Sequence, residues 1–301
     1  MSRPEFHFIF DKRDKIYNSG DTINCKVLVT AHKTFKVRYM TLRFMGQAHV
    51  EWGSGKHKRR ETQTFFKEYI FMITSDTTGP ILEINPGVHE YVGIFTLPRK
   101  VPSSFYHKIG HIEYTVKAKY NVLYDFPYHA TASFNVQYCL DLNAYSRYLK
   151  PISNCQDKQF SWCGIYKSHP LQLKTLLRKT MWVVGENLPI TVEINNNSDV
   201  TVKRIEVKLI EDLFFTTTGL FPASRSKERT IFCHKFESDV KPLQKKIFNT
   251  SFFLDERHYF KTIYECKLIK CTYIIVVDVI VRGLYKGMSN KTVIFITKVP
   301  G

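Results

Sequence analysis

The residue types most often used for catalysis and metal binding occur in this sequence, but not at the spacings that those chemistries require. The pair His89-Glu90 resembles the start of a zinc-binding helix, yet no second histidine follows four residues after the first. Cys266 and Cys271 could bind zinc together with Cys233-His234, but these intervals match no common zinc motif. The sequence also lacks a Gly-rich phosphate loop and a nucleophile elbow. We therefore predict a protein that is not an enzyme, with no metal and no cofactor.

The sharpest charge feature is a basic segment that contains Lys56, Lys58, Arg59 and Arg60. It follows Gly53-Ser54-Gly55, which predicts a loop between two strands. Positive charges on such a loop could contact anionic lipid, at about 1 kcal/mol per charge near the surface. They could also bind phosphorylated cargo tails through Arg–phosphate hydrogen bonds. A simply solvated loop explains the same residues, so the four cations are candidate contacts and that alternative stays open.

Composition limits the class of protein. The chain has 301 residues, 44% of them hydrophobic, so we expect a packed core. The formal net charge of +17 favours acidic partners such as anionic membranes. Nucleic acid is not expected, because the aromatic residues follow strand alternation and so belong to a core. Seven cysteines without a signal peptide indicate a reducing, cytoplasmic environment, and the longest apolar run, Ile274–Val281, is too short to span a bilayer.

The elements that would position these residues are short strands, since apolar residues alternate at period two along most of the chain. The strand pattern that follows Gly20-Asp21 recurs after Gly185-Glu186, 165 residues later, and keeps its register without a gap. A second correspondence, with an offset of 159, relates the strand at 112–118 to the strand at 271–277. A period of this length indicates a duplicated domain, because solenoid repeats are much shorter.

We therefore predict an all-β protein made of two tandem, immunoglobulin-like antiparallel β-sandwiches. The first occupies residues 1–145 and the second residues 166–301. A short connector of residues 146–165, which has little periodicity, joins them. The segment Leu171–Arg178 fits either a short helix or a strand.

The second copy has one unusual face. Its strand near 271–281 places Ile274, Val276 and Ile280 where the first copy has polar residues, so we expect this face to be covered. Asp278 would then be buried or half-buried, with Arg282 four residues further along the same face. We predict that the two form a structural charge pair. The alternative is that they form a salt bridge that acts as a latch.

Several segments resemble the first domain of the arrestin-domain-containing proteins, or α-arrestins. These are Tyr-x-x-Gly-Asp at 17–21, Gly-Gln-Ala-His-Val-Glu-Trp at 46–52 and Pro-Gly-Val-His-Glu-Tyr at 86–91. Val-Gly-Glu-x-Leu-x-Ile at 184–190 and the strand that ends the segment 264–281 resemble the second domain of that family. Each motif is weak alone, but their order and spacing together are specific.

The resemblance implies two arrestin-type sandwiches and a cytoplasmic adaptor that is recruited to the plasma membrane and endosomes. Such an adaptor links membrane-protein cargo, for example receptors or transporters, to endocytic sorting and ubiquitin-ligase machinery in protein transport and signalling down-regulation. Family members bind HECT-type ubiquitin ligases through Pro-Pro-x-Tyr motifs, whereas this chain contains no Pro-Pro. The resemblance therefore supports the cargo-binding role more directly than the link to a ubiquitin ligase. The alternative function is a signalling scaffold, or a coat protein resembling a retromer subunit in endosomal retrieval.

Overall fold

Strands dominate the structure, a computed structural model of the chain, as the period-two alternation predicted. It describes residues 3–74, 81–138, 148–162, 166–219, 222–258, 260–261, 263 and 265–297. No helix in these ranges is long and apolar enough to cross a membrane. The chain divides into two compact units. The first contains Met1–Cys139, Phe215–Arg225 and Ile263–Lys270, and the second contains Leu140–Phe214, Ser226–Thr262 and Cys271–Gly301.

The first unit contains a small and a large sheet. Its strands are β1 (Glu5–Phe10), β2 (Ile16–Asn18), β3 (Thr22–Ala31), β4 (Phe35–Trp52), β5 (Arg59–Thr74), β6 (Leu82–Ile84), β7 (Gly87–Thr96), β8 (Phe105–His107), β9 (Gly110–Val122) and β10 (Tyr128–Gln137). The small sheet has the order β1-β3-β7 and the large sheet the order β2-β10-β9-β4-β5, with β6 beside β4 and β8 beside β9. Phe44 of β4 stacks on Phe95 of β7 with ring centres 5.0 Å apart, so the two sheets enclose the core.

The second unit has the same plan. The remaining strands are β11 (Ile152–Lys158), β12 (Ser161–Trp162), β13 (Tyr166–Lys167), β14 (Leu171–Leu177), β15 (Met181–Val183), β16 (Asn187–Asn196), β17 (Val202–Thr217), β18 (Ala223–Val240), β19 (Gln244–Phe253), β20 (Ile269–Val281) and β21 (Met288–Thr297). One sheet has the order β11-β14-β16-β19 and the other the order β15-β21-β20-β17-β18. Leu173, Val192, Val207 and Ile275 belong to one buried cluster drawn from both sheets.

The turn that opens each copy confirms the repeat. Gly20 and Gly185 have φ angles of +91° and +98°, a conformation that residues with a side chain rarely adopt. The acidic residue after each glycine accepts a hydrogen bond from the backbone N–H three residues before it, at 3.0 Å for Asp21 and 2.9 Å for Glu186. The acid therefore satisfies the same backbone donor in both copies.

A lysine closes each of these turns. Lys12 Nζ lies 2.7 Å from the acid of the first turn and 5.1 Å from the centre of the Tyr17 ring. Lys179 Nζ lies 2.8 Å from the acid of the second turn and 4.6 Å from the Trp182 ring. Both lysines combine an ion pair with a cation–π contact, so they serve the fold and are not candidates for partner binding.

Part of the predicted connector forms a strand. β11 lies within residues 146–165 and pairs antiparallel with β14 along its whole length. None of its residues is fully buried, so this edge strand has no apolar row that periodicity could reveal. β14 settles the ambiguous segment 171–178 as a strand. Residues 139–147 and 163–165 lie outside the described residues, and the boundaries 1–145 and 166–301 remain predictions.

Candidate functional site

The basic segment lies at the tip of the hairpin formed by β4 and β5, as a loop between two strands. A short 3-10 segment, Gly55–His57, connects the strands. Gly53 has a φ of +81°, and a Cβ atom there would lie only 2.4 Å from the carbonyl oxygen of His57. Only glycine fits this close approach, which turns the chain sharply at the end of β4. We call Lys56–Arg60 the basic tip.

The four cations of the basic tip differ in their surroundings. Lys58 Nζ lies 2.8 Å from Glu51, and Arg60 Nε lies 3.7 Å from the same carboxylate. The hydrogen bond from Lys58 holds the pKa of Glu51 below its usual range. Lys56 and Arg59 have no acidic partner among the ion pairs of the described residues, and Lys56 is exposed. These two cations are therefore the ones available to an external anion.

Sequence reasoning missed Glu51, although the hairpin register contains the signal. Glu51 of β4 stands directly opposite Arg60 of β5 in the ladder. Residues opposite each other in an antiparallel pair have side chains on the same face, and opposite charges there attract. Once the loop is placed between the two strands, counting back from it identifies this partner.

The part of β5 directly beside the basic tip is fixed by two polar side chains, Glu61 and Gln63. The carboxylate of Glu61 accepts hydrogen bonds from the backbone N–H of Thr218, at 2.5 Å, and from its hydroxyl, at 2.6 Å. The hydroxyl contact holds the pKa of the Glu61 carboxyl below its usual range. Gln63 Oε1 accepts a hydrogen bond from the backbone N–H of Lys267 at 2.8 Å. All of these residues belong to the first unit, so the basic tip extends from a fixed base.

The prediction that Asp278 pairs with Arg282 was wrong. Asp278 Oδ2 accepts a hydrogen bond from Lys208 Nζ on the neighbouring strand β17, at 3.0 Å. Arg282 Nη2 donates instead to Asp239 Oδ2, at 2.7 Å. Residues four apart in a strand share a face but lie about 13 Å apart along the backbone, which is too far for a direct ion pair. Asp278 is half-buried, as expected.

Lys208 also belongs to a larger network around Glu206, which is only 8% exposed. Glu206 lies 2.7 Å from Lys208, 2.9 Å from Arg204 and 3.9 Å from Lys235. The Lys208 hydrogen bond lowers the pKa of Glu206, and the hydrogen bonds to Glu206 and then Asp278 raise the pKa of Lys208. Each charge has an opposite partner, so this network stabilises the second unit and offers no open binding site.

The described cysteines do not form a metal-binding cluster, and the buried ones are unreactive. Burial raises the pKa of the Cys25 and Cys271 thiols to about 12, and it also raises the pKa of Cys266. These thiols therefore stay protonated, which makes them poor nucleophiles and ligands. Cys155 and Cys233 are exposed. Within the described ranges, no cluster of histidine, cysteine and acidic residues could hold a metal ion.

The two sandwiches, which share one sheet plan, define an arrestin-type protein. Comparison with protein-family models supports this assignment. The model described as Arrestin (or S-antigen), N-terminal domain, matches residues 6–143, and the corresponding C-terminal domain model matches residues 167–300. The chain belongs to the arrestin family. Proteins of this family are generally non-enzymatic adaptors that bind cargo proteins.

Several of its relatives are arrestin domain-containing proteins, which confirms the resemblance to α-arrestins. Arrestin domain-containing protein 17 of Caenorhabditis elegans is 24% identical over 65% of this chain and 49% of its own length. Arrestin domain-containing protein 4 of Homo sapiens is 29% identical over 62% of this chain and 47% of its own length. Arrestin domain-containing protein 5 of Homo sapiens is 21% identical over 72% of this chain and 64% of its own length. The chain thus spans about half the length of the first two relatives.

Proposed function

We propose that this chain is a non-enzymatic α-arrestin adaptor that links membrane-protein cargo to endocytic sorting and ubiquitin-ligase machinery. It acts in the cytoplasm and is recruited to the plasma membrane and endosomes. The observation that carries this proposal is the basic tip, where Lys56 and Arg59 lack an acidic partner among the described ion pairs. The arrestin-family membership of the chain supports the adaptor role.

The basic tip would contact the negatively charged surface beside the cargo. Each basic residue near an anionic bilayer contributes about 1 kcal/mol of attraction. Glu51 reduces this attraction, because its carboxylate already pairs with Lys58 and Arg60. Lys56 and Arg59 should therefore contribute most, and removal of the Glu51 charge should strengthen membrane binding.

Vesicle co-sedimentation of the purified chain tests this contact. Vesicles of phosphatidylcholine with phosphatidylserine should bind the chain more strongly than vesicles of phosphatidylcholine alone. Lys56→Ala/Arg59→Ala should weaken this binding about 30-fold, from about 1 kcal/mol per charge. Glu51→Gln should strengthen it.

A matched control removes two exposed strand lysines of the second unit, Lys245→Ala/Lys291→Ala. An equal loss of binding in this control would show that net charge alone drives adsorption and would contradict the role of the tip. Circular dichroism of each variant verifies that the fold is intact.

The ligase half of the proposal needs its own experiment, because the chain lacks Pro-Pro. The tagged full chain is recovered from cells and probed for HECT-type ubiquitin ligases. Recovery of a ligase would support a docking surface or a bridging protein other than a Pro-Pro-x-Tyr motif. Its absence, with cargo still bound, would reject the ligase link and leave the cargo-binding role standing.

A further inference from the structure

A second group of cations lies on the outer face of the large sheet in the first unit. Arg43 of β4 stands opposite Tyr69 of β5 on one side and opposite Lys117 of β9 on the other. Lys119 follows Lys117 by two residues and Lys67 precedes Tyr69 by two, so all five side chains share one face. Lys67 Nζ lies 5.6 Å from the centre of the Tyr69 ring. We call these five residues the sheet-face cluster.

Among the residues that the structure describes, no acid balances the sheet-face cluster. None of its four cations forms an ion pair with a carboxylate among the described residues, in contrast to Lys58 and Lys208. Glu113, four residues from Lys117 along β9, is about 13 Å away along the strand, and its carboxylate accepts a hydrogen bond from Gln47 at 2.7 Å. The Nε atom of Arg43 is buried and has no hydrogen-bond partner.

This arrangement costs stability in the free protein. Like charges directly opposite each other in a sheet repel, and Arg43 and Lys117 occupy such positions. Desolvation lowers the pKa of the partly buried Lys117, and the charges of Arg43 and Lys119 lower it further. The contacts with Lys67 and Arg43 lower the pKa of the Tyr69 phenol. Partly buried cations without counter-charges are typical of sites that bind an anion.

We propose that the sheet-face cluster binds a compact anion that carries several phosphate groups, of the inositol phosphate class. Neighbouring strands are about 4.8 Å apart, so Arg43, Tyr69 and Lys117 form a level row roughly 10 Å wide. Lys67 and Lys119 lie about 6.6 Å to either side of this row along the strands. The width of the central row is the scale of one phosphorylated ring, and the two flanking lysines have side chains long enough to reach toward it, whereas an extended peptide or a nucleic acid would follow a longer track of cations. Arg43 supplies a planar fork for two phosphate oxygens, and the lysines act as point charges around it.

The anion can come from two sources, a free inositol phosphate or a phosphoinositide headgroup in a membrane, and the experiment separates them. Calorimetry with inositol trisphosphate tests the free form. Co-sedimentation with phosphatidylcholine vesicles, with and without phosphatidylinositol bisphosphate, tests the lipid form. Binding in either arm supports the site and identifies its source, and binding in neither arm overturns the proposal.

Variants of β9 connect binding to the cluster. Lys117→Gln/Lys119→Gln should weaken binding about tenfold or more, and Lys117→Arg/Lys119→Arg should retain it, because the charges remain. The control Lys245→Gln/Lys291→Gln loses the same net charge from the second unit and should bind as the wild type does. Equal binding by all variants, or an equal loss in the control, would contradict the site.

Two further readouts separate a loss of binding from a loss of folding. Inositol trisphosphate should raise the thermal unfolding midpoint of the wild type but not that of Lys117→Gln/Lys119→Gln. Without ligand, the glutamine variant should unfold at the same temperature as the wild type or higher, since repulsion is relieved. A phosphoserine peptide that binds in place of inositol trisphosphate would overturn the assignment in favour of a peptide site.

Discussion

The corrected pairing of Asp278 predicts which substitutions are coupled in the second unit. Lys208→Gln and Asp278→Asn remove the two ends of the observed ion pair, and the double variant completes a thermodynamic cycle. A parallel cycle combines Asp278→Asn with Arg282→Gln, the pair that strand periodicity had suggested. The two cycles share one variant, so they differ only in the cation that is tested.

The magnitude follows from the geometry. Lys208 Nζ and Asp278 Oδ2 are 3.0 Å apart, and the two side chains are 24% and 31% exposed. Exposed ion pairs contribute about 0.2–1 kcal/mol, and partial burial places this pair near the upper end, so the coupling should be about 1 kcal/mol. Arg282 pairs with Asp239 instead, so its coupling to Asp278 should be about 0 within an additivity error of roughly 0.3–0.5 kcal/mol.

Urea unfolding followed by tryptophan fluorescence measures the free energy of unfolding of each variant. The single variant Lys208→Gln should cost more than Asp278→Asn, because Lys208 also binds Glu206 at 2.7 Å. The thermodynamic cycle cancels the cost of losing the Lys208–Glu206 contact, because that contact is lost in both the single and the double variant. A coupling between Asp278 and Arg282 as large as that between Asp278 and Lys208 would refute the reasoning from cross-strand neighbours.

Three further predictions concern stability and reactivity. Glu206→Gln should lower the free energy of unfolding at neutral pH, because the hydrogen bond from Lys208 lowers the pKa of Glu206. In unfolding curves at several pH values, the difference should vanish as the pH falls through that lowered pKa. Gly46→Ala should cost about 1–3 kcal/mol, since its Cβ would lie 2.5 Å from Tyr114 Cε1 in the core; an unchanged unfolding midpoint would contradict this packing. Iodoacetamide should alkylate Cys155 in the native protein and Cys25 only after unfolding, and mass spectrometry of the labelled peptides would reveal an early reaction at Cys25.

The repeat made much of the fold predictable from the sequence. The offset of 165 residues places β3 on β16, and the offset of 159 places β9, Gly110–Val122, on β20, Ile269–Val281. Buried rows at period two determine such strands, because a slip of one residue would expose every apolar side chain. β11 was not predicted, because it is an edge strand without a buried row of apolar side chains and so has no period-two pattern in the sequence.

The candidate sites were harder to predict, because their residues meet across strands. The basic tip was visible as a run of cations, but its partner Glu51 depends on the register of β4 and β5. Asp278 has its partner on another strand, about seventy residues away in the chain. The sheet-face cluster draws Arg43, Lys67 and Lys117 from three strands, so no local motif marks it. Periodicity identifies which face a side chain occupies but not its neighbours on that face.

The adaptor role can be tested most directly on the surface proteins of living cells. The full chain and a variant with Lys56, Lys58, Arg59 and Arg60 all changed to Ala are expressed at equal levels. Biotinylated surface proteins are then quantified by mass spectrometry. We predict that the wild type depletes a defined subset of transmembrane proteins from the cell surface and that the variant does not. Identical surface proteomes with the wild type, the variant and an empty vector would contradict the proposed function.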